Sequence, residues 1–206
     1  MDKSKHHSSY TKGQTIFCEG SYPRGLFCVN DGKIKITQTG VDGKEQIVHL
    51  ARNADVLGYR ALLSGDAYSC SAIAMEDSTI CFIPKDAFLF LVEKNSRLGL
   101  QLINLLSKEL RNTENKLTQI AQRPARERVA QTILLLKECY GFASDGITLN
   151  IMISREEIAS MSGTTRETAI RVLVKLNAEK VIALKGKKIQ IRDPAELVKT
   201  ANLTDC

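Results

Sequence analysis

Nowhere does this chain stay apolar over the roughly 20 residues that a membrane-spanning helix needs. Its opening stretch, MDKSKHHSSY, has no apolar signal core. A cytoplasmic location is therefore expected. The six cysteines lie far apart, at Cys18, Cys28, Cys70, Cys81, Cys139 and Cys206, and no two of them make a C-x-x-C pair. Zinc and iron–sulfur sites usually show clustered spacings. Scattered cysteines argue for buried, reduced thiols instead. Histidine is as scarce, with only His6, His7 and His49. His6 and His7 stand in a polar N-terminal arm, and a lone His49 in a strand cannot supply the His and carboxylate cluster of a metalloenzyme barrel. No metal site and no cofactor are expected. G-x-S-x-G and phosphate-loop motifs are missing as well, so the chain is not expected to be an enzyme.

What is present points to a polyanionic partner. A net charge of +6 favours nucleic acid or an anionic membrane surface, and charge alone does not separate them. With 206 residues, 43% hydrophobic and 25% charged, the chain is long enough to bury one large core or two small ones. From about Tyr10 to Pro84 it reads as β structure. KGQTIFCEG, GLFCVNDGKIKITQTG, KEQIVHLA and DSTICFIP are short alternating or apolar runs, and Asn30-Asp31-Gly32 and Val41-Asp42-Gly43 are hairpin signals. Many short strands with closely spaced turns predict a sandwich or jelly-roll barrel. A short helix is expected from Tyr59 to Leu63, opening just after Gly58, where a glycine before a helix N-terminus can cradle an anion or simply turn the chain.

From Lys85 to Gln122 the period becomes helical. Ile103, Leu106, Leu110, Thr113, Leu117 and Ile120 follow the three-four spacing of a coiled-coil seam. Self-pairing into a two-fold dimer is the expected way to cover such a stripe. Leu98, Leu102 and Leu105 lie to one side of it and are expected to pack on the barrel. Gln122-Arg123-Pro124 breaks the helix and marks a hinge. RERVAQTILLLKECY then starts a second domain, with Val129, Ile133, Leu134 and Leu136 as core. Gly141 to Met152 is read as a turn and short strands, and Pro194 to Cys206 as a peripheral tail.

The most informative stretch is Ser154 to Lys180. Ser154 followed by Glu157 is a capping box that opens one helix. Gly163 can take the positive φ that closes it, and Thr165 caps the next. Along that second helix Ala169, Val172, Leu173 and Leu176 gather on one side, with Arg166, Glu167, Ile170 and Arg171 nearly opposite. Arg can fork to guanine, Glu can accept from cytosine, and an apolar side chain can touch a thymine methyl. VIALKGKKIQIRD follows as two strands around Lys185, Gly186, Lys187 and Lys188, a wing whose lysines can meet phosphates without reading sequence.

These parts in this order resemble the family of the cyclic-AMP receptor protein and the fumarate-nitrate regulator. The likeness runs from Tyr10 to about Arg192 and is most specific in ISREEIASMSGTTRETAIRVLVKL and RERVAQTILLL. It implies an α+β chain with an N-terminal β jelly-roll barrel over 1–94, a dimerisation helix over 95–122 and a C-terminal winged helix-turn-helix over 123–206. It implies a homodimeric transcription regulator on a double-stranded pseudo-palindromic operator, with RNA polymerase a further partner if it activates, and no membrane partner. By motif position Arg166, Glu167 and Arg171 match the base-reading residues of cyclic-AMP members, while Ser154, Arg155 and Thr165 match phosphate contacts. Ile170 departs from the small residue usual there and is expected to touch a thymine methyl.

The candidate effector pocket comprises Gly58, Tyr59, Arg60, Tyr68, Ser69 and Thr113. Cyclic-AMP members carry Gly-Glu at the cradle and Arg-Ser further on. Here Gly58 is followed by Tyr59, and the Arg-Ser position reads Tyr68-Ser69. Loss of the guanidinium removes a bidentate charge-assisted contact to phosphate, so ordinary cyclic AMP is not the expected effector, although Arg60 brings a positive charge at a shifted position and Thr113 matches a seam threonine that meets the base. No cysteine precedes Cys18, which argues against the iron–sulfur sensing of the fumarate-nitrate branch. Two alternatives keep the same DNA output: a thiol sensor using Cys18, Cys28, Cys70 or Cys81, and a haem sensor using His49.

Overall fold

The computed structural model describes residues 6–202. Cys206, the last of the cysteines, and the first five residues of the N-terminal arm lie outside the described residues. Contacts divide the chain into two compact units, one ending at Asn112 and one beginning at Thr113.

The first unit is a β roll of two four-stranded antiparallel sheets. One sheet runs in the order β1 (His6–Tyr10), β8 (Ser78–Pro84), β3 (Gly25–Asp31), β6 (Val56–Leu57). The other runs β2 (Thr15–Phe17), β7 (Ser71–Ala74), β4 (Ile34–Thr39), β5 (Glu45–Ala51). Strand periodicity sorts the side chains. Val29 and Ile80 point into the core between the sheets, with Ile34, Ile36, Ala72 and Phe17. Leu26, Cys28 and Ile83, at the opposite parity, point to the other face of the first sheet. There they meet α1 (Tyr59–Ser64), α2 (Lys85–Lys94) and the start of α3 (Ser96–Gln122) through Tyr59, Leu62, Phe88 and Leu102. Each such fully buried apolar side chain contributes about 1.5–3 kcal/mol.

His6–Tyr10, expected as a polar arm, is a strand, paired with β8 from His6↔Phe82 to Tyr10↔Ser78. Backbone hydrogen bonds hold it there, and these leave no mark in a hydrophobic pattern. The break between α2 and α3 falls at Asn95, which leaves the helical region (φ −131°, ψ 91°) and whose side-chain oxygen accepts from the Leu98 amide. Asn95 thus supplies an N-cap to the long helix.

The second unit packs α4 (Ala125–Tyr140), α5 (Arg155–Ser162), α6 (Arg166–Ala178), the hairpin β9–β10 (Ile182–Lys185, Lys188–Ile191) and α7 (Pro194–Thr200). Its core includes Val129, Ile133, Leu136, Ile158, Leu173, Leu176, Ile182 and Ile189, all fully or almost fully buried. The segment from 194 on is no peripheral tail over its described part. Asp193 caps α7 by accepting from the Glu196 amide, and Leu197 and Ala201 are fully buried. Arg123 Nη1 and Gln131 Nε2 both donate to the Ala201 carbonyl. Leu197 recurs too seldom in a seven-residue helix to give a periodic signal. No helix among the described residues is long and apolar enough to cross a membrane.

Candidate nucleic-acid interface

The helix-turn-helix is assembled by local side-chain chemistry. Ser154 Oγ accepts from the Glu157 amide at 3.1 Å and donates to Glu157 Oε2, and the same carboxylate accepts from the Ser154 amide at 2.9 Å. This is the complete capping box, which satisfies the entry to α5 with local groups alone. A phosphate at Ser154 would compete with Glu157 for that hydroxyl. At the other end Gly163 sits at φ 59°, ψ 44°, a conformation that glycine takes without a steric penalty. A Cβ at Gly163 would also lie 3.3 Å from the Ile120 side chain. Thr165 Oγ1 then accepts from the Thr168 amide and opens α6.

Arg128 on α4 holds this turn. Its Nε donates to Ser162 O at 2.8 Å, its Nη2 to Gly163 O at 3.0 Å, and its Nη1 to Arg123 O at 2.8 Å and Ile120 O at 3.2 Å. The acceptors are the carbonyls at the C-terminal ends of α5 and α3, which have no partner inside their own helices. A single fixed cation answers both negative helix ends. The sequence motif RERVAQTILLL contains Arg128, but nothing local to it announces this role.

Helix α6 divides cleanly. Ala169, Leu173 and Leu176 are fully buried, whereas Arg166, Glu167, Ile170 and Arg171 are exposed together. Arg166 Nε lies 3.7 Å from Glu156 Oε2, with both side chains more than 60% exposed. Such a solvated pair holds little energy, so Arg166 can leave it at small cost.

The wing lies beside α5. Lys188 pairs with Lys185, which leaves Gly186 and Lys187 as the two-residue turn, with Gly186 at φ 59°. Lys185, Lys187 and Lys188 are all exposed. Arg155, matched by motif to a phosphate contact, donates through Nη2 to Gly186 O at 3.0 Å. Its Nη1 is buried with no acceptor among the described residues, and burial lowers the guanidinium pKa below its usual value. The Ile153 amide donates to Lys187 O at 3.0 Å. The wing is therefore tied to the entry of α5 by both side chain and backbone.

The predicted seam residues are mixed in burial. Ile103, Leu110 and Leu117 are 61%, 61% and 70% exposed. Thr113 is exposed too, Leu106 is half-buried against the helix-facing cluster, and Ile120 lies against Gly163.

Of the cradle residues, Gly58 and Tyr68 come together at the core between the sheets. Gly58 takes φ 83° and caps α1. The Tyr68 ring fills the space above it, 3.2 Å from where a Cβ would stand, and stacks on Phe17 at a centroid distance of 4.1 Å. Burial pushes the Tyr68 hydroxyl up to about 12. Tyr59 is buried on the helix-facing side, where burial and then the Glu109 carboxylate push its pKa up. Arg60 Nε lies 3.8 Å from Glu109 Oε2 on α3. Ser69 is exposed, and Thr113 is the first residue of the second unit.

Residues 7–95 match the family model of the cyclic nucleotide-binding domain, and residues 127–200 that of the Crp-like helix-turn-helix domain. A cyclic AMP receptor protein from Thermus thermophilus is 30% identical over 192 residues, spanning 93% of this chain and 86% of that protein. A fumarate and nitrate reduction regulatory protein from Vibrio cholerae is 30% identical over 196 residues, 94% of this chain and 77% of that one. Among solved structures, FixK2 from Bradyrhizobium japonicum superposes with a TM-score of 0.85 over 98% of this chain and 99% of its own, a likeness of fold at 23% identity. With a barrel and a helix-turn-helix in this order, and with relatives matching along almost its whole length, the chain belongs to the CRP/FNR family of transcription regulators.

Proposed function

We propose that the protein works as a homodimer on a pseudo-palindromic operator and has no catalytic activity of its own. Arg166, Glu167, Ile170 and Arg171 read base edges, and Ser154, Arg155, Thr165, Lys185, Lys187 and Lys188 meet the backbone. The observation that carries this is the division of α6, which exposes two guanidinia, a carboxylate and two branched apolar side chains, Ile170 and Val174, on the face opposite Ala169, Leu173 and Leu176. That set supplies a forked donor for guanine, an acceptor for cytosine N4 and an apolar contact for thymine.

Pairing runs along Ile103, Leu106, Leu110, Thr113, Leu117 and Ile120, and the exposure of Ile103, Leu110 and Leu117 supports it. Two-fold symmetry then sets the recognition helices into successive major grooves about 34 Å apart. Where the operator lies upstream of a promoter, RNA polymerase is the further partner.

The barrel does not take cyclic AMP in the family's usual manner. Two buried tyrosine rings occupy the cradle positions. The guanidinium of Arg60 lies on α1, 3.8 Å from Glu109 Oε2, and not at the Arg-Ser position, which holds Tyr68-Ser69, so a phosphate loses the family's bidentate contact there. Selection from a random operator library tests the base-reading assignment. The expected half-site is related to TGTGA but differs opposite Ile170, with thymine enriched there. Equal use of all four bases opposite Ile170 would sink its assignment.

A further inference from the structure

Cys28 and Cys81 face each other across neighbouring strands. The β3–β8 register pairs them directly, and directly opposed residues of an antiparallel ladder project from the same face. That face is the helix-packed one. Cys28 lies against the cluster of Leu26, Tyr59, Leu62, Phe88 and Leu102, and Ile83, two residues on from Cys81, belongs to the same layer.

The hydrogen-bond phase of the ladder fixes their separation. Val29 directs both its amide and its carbonyl away from β8, the amide to Asp55 O at 2.9 Å and the carbonyl to the Ala54 amide at 2.9 Å. At the other end, the Lys85 amide donates to Arg24 O at 2.9 Å. Alternation between these two points makes Cys28–Cys81 a hydrogen-bonded pair, with Cα atoms about 5.5 Å apart. Disulfides span Cα separations of about 4.4–6.8 Å, which this pair meets, but they also need Cβ atoms about 3.5–4.5 Å apart. Directly opposed Cβ atoms lie about 4.5–5.5 Å apart, and a hydrogen-bonded pair lies toward the wide end. Closing the bond therefore draws the two side chains together and leaves it strained and readily reduced. The ladder irregularity lies beyond Val29, between it and Asp31, and leaves this register intact.

The structure holds both residues as thiols. Cys28 is half-buried and Cys81 is 7% exposed, so a small oxidant meets Cys28 first. His7 stands at the register position on the far side of Cys81, in β1, and is exposed. Its imidazole is the nearest basic group along that row of the sheet. Among the other cysteines, Cys18 is exposed without a cysteine opposite it, and burial pushes the Cys70 thiol up, away from the reactive thiolate.

We propose that Cys28 and Cys81 form a dithiol–disulfide site in the barrel, closed by a peroxide and reopened by a thiol reductant. The Cys28 thiolate attacks one peroxide oxygen. The O–O bond breaks, the leaving oxygen takes a proton and departs as water, and Cys28 becomes a sulfenic acid. The Cys81 sulfur then attacks the Cys28 sulfur, and the S–O bond breaks. The departing hydroxide takes the Cys81 proton as a second water, leaving an S–S bond. Two thiols lose two electrons to one hydrogen peroxide, and a dithiol reductant returns them by exchange.

The test uses the full reduced chain treated with stoichiometric hydrogen peroxide, alkylated, digested without reduction and read by mass spectrometry. The expected product is the Cys28 peptide joined to the Cys81 peptide, lighter by the two thiol hydrogens. It should disappear on treatment with dithiothreitol, be lost in Cys28→Ser, and persist in Cys18→Ser. Cys81→Ser should stop oxidation at the Cys28 sulfenic acid, trapped with dimedone. Because Cys81 is buried, Cys28→Ser with the unmodified chain decides the matter if the Cys81 variant fails to fold. Peroxide that leaves both thiols open to alkylation, carries Cys28 to sulfinic acid beside an intact Cys81 thiol, or links either one to Cys18 would overturn the proposal.

Discussion

Replacing Arg128 by alanine removes four hydrogen bonds from one guanidinium to the carbonyls of Ser162, Gly163, Arg123 and Ile120. A hydrogen bond to a charged group contributes roughly 1.5–3 kcal/mol when its partners are buried. The simple sum overstates the loss, because the bond to Ile120 is solvent-exposed, the others are only part-buried, and water can reach the freed carbonyls. A cost of about 2–4 kcal/mol remains, carried mostly by the Ser162 and Gly163 contacts, where the α5–α6 turn loses its cation.

Lysine keeps the charge but not the fork, and its single ammonium cannot reach both helix ends in one geometry. Arg128→Lys should therefore recover less than half of the loss. Urea unfolding gives the overall effect. Amide exchange at Gly163 and Thr164 gives the local one, since it reads the turn directly and does not need the two units to unfold together. Exchange at these amides should quicken in both variants, and more in the alanine one. A loss under about 0.5 kcal/mol for alanine, the range of ordinary surface substitutions, or full recovery by lysine, would refute the idea that one forked cation answers both helix ends.

Three further outcomes are expected. Arg166→Ala should cost about 1–3 kcal/mol at the selected operator and relax discrimination at one base pair, while Lys187→Ala should weaken all sequences alike and lower the salt slope by about one; competition titrations at several salt concentrations separate the two. Leu110→Glu, at a position 61% exposed in the single chain, should leave the fold intact and shift the protein to monomer in sedimentation velocity, and an unchanged sedimentation coefficient would move the pairing surface elsewhere. Asp145 is held at about 2 by the Thr148 hydroxyl and by the Thr148 and Ile147 amides. A carboxyl with a depressed folded pKa stabilises the fold above its unfolded value near 3.9, and that contribution disappears as pH falls toward 2. Asp145→Asn should therefore flatten this acid limb in pH-dependent unfolding, and an identical limb in both proteins would show that other carboxylates produce it.

Much of the fold was legible because its determinants are local. Ser154 and Glu157 carry their capping box in their spacing, and Gly163 and Thr165 mark the turn by chemistry that any helix boundary obeys. The burial split of α6 follows from the helical period alone, since Ala169, Leu173 and Leu176 recur on one side. Features that depend on distant partners were not legible. His6–Tyr10 is polar and reads as an arm, because the Ser78–Pro84 backbone that pairs with it lies some seventy residues away. Leu197 and Ala201 read as part of a tail, because their burial depends on α4. Arg128 looks like any charged residue in an amphipathic helix until two helix ends converge on it. In the cradle, Tyr68 was visible as a missing arginine, but its ring packing over Gly58 and onto Phe17 depends on how two strands and a loop come together.

The bonds from Arg155 to Gly186 and from Ile153 to Lys187 have a metrological consequence. They set the tip of the hairpin and the first turn of α5 on one frame, like the jaws of a fixed gauge. On the backbone contacts proposed above for Arg155 and Lys187, such a gauge asks the duplex to fit the gap between them. Operators whose groove width already matches that gap need little bending energy, while stiffer or wider tracts must deform, and the difference discriminates at base pairs that no side chain touches.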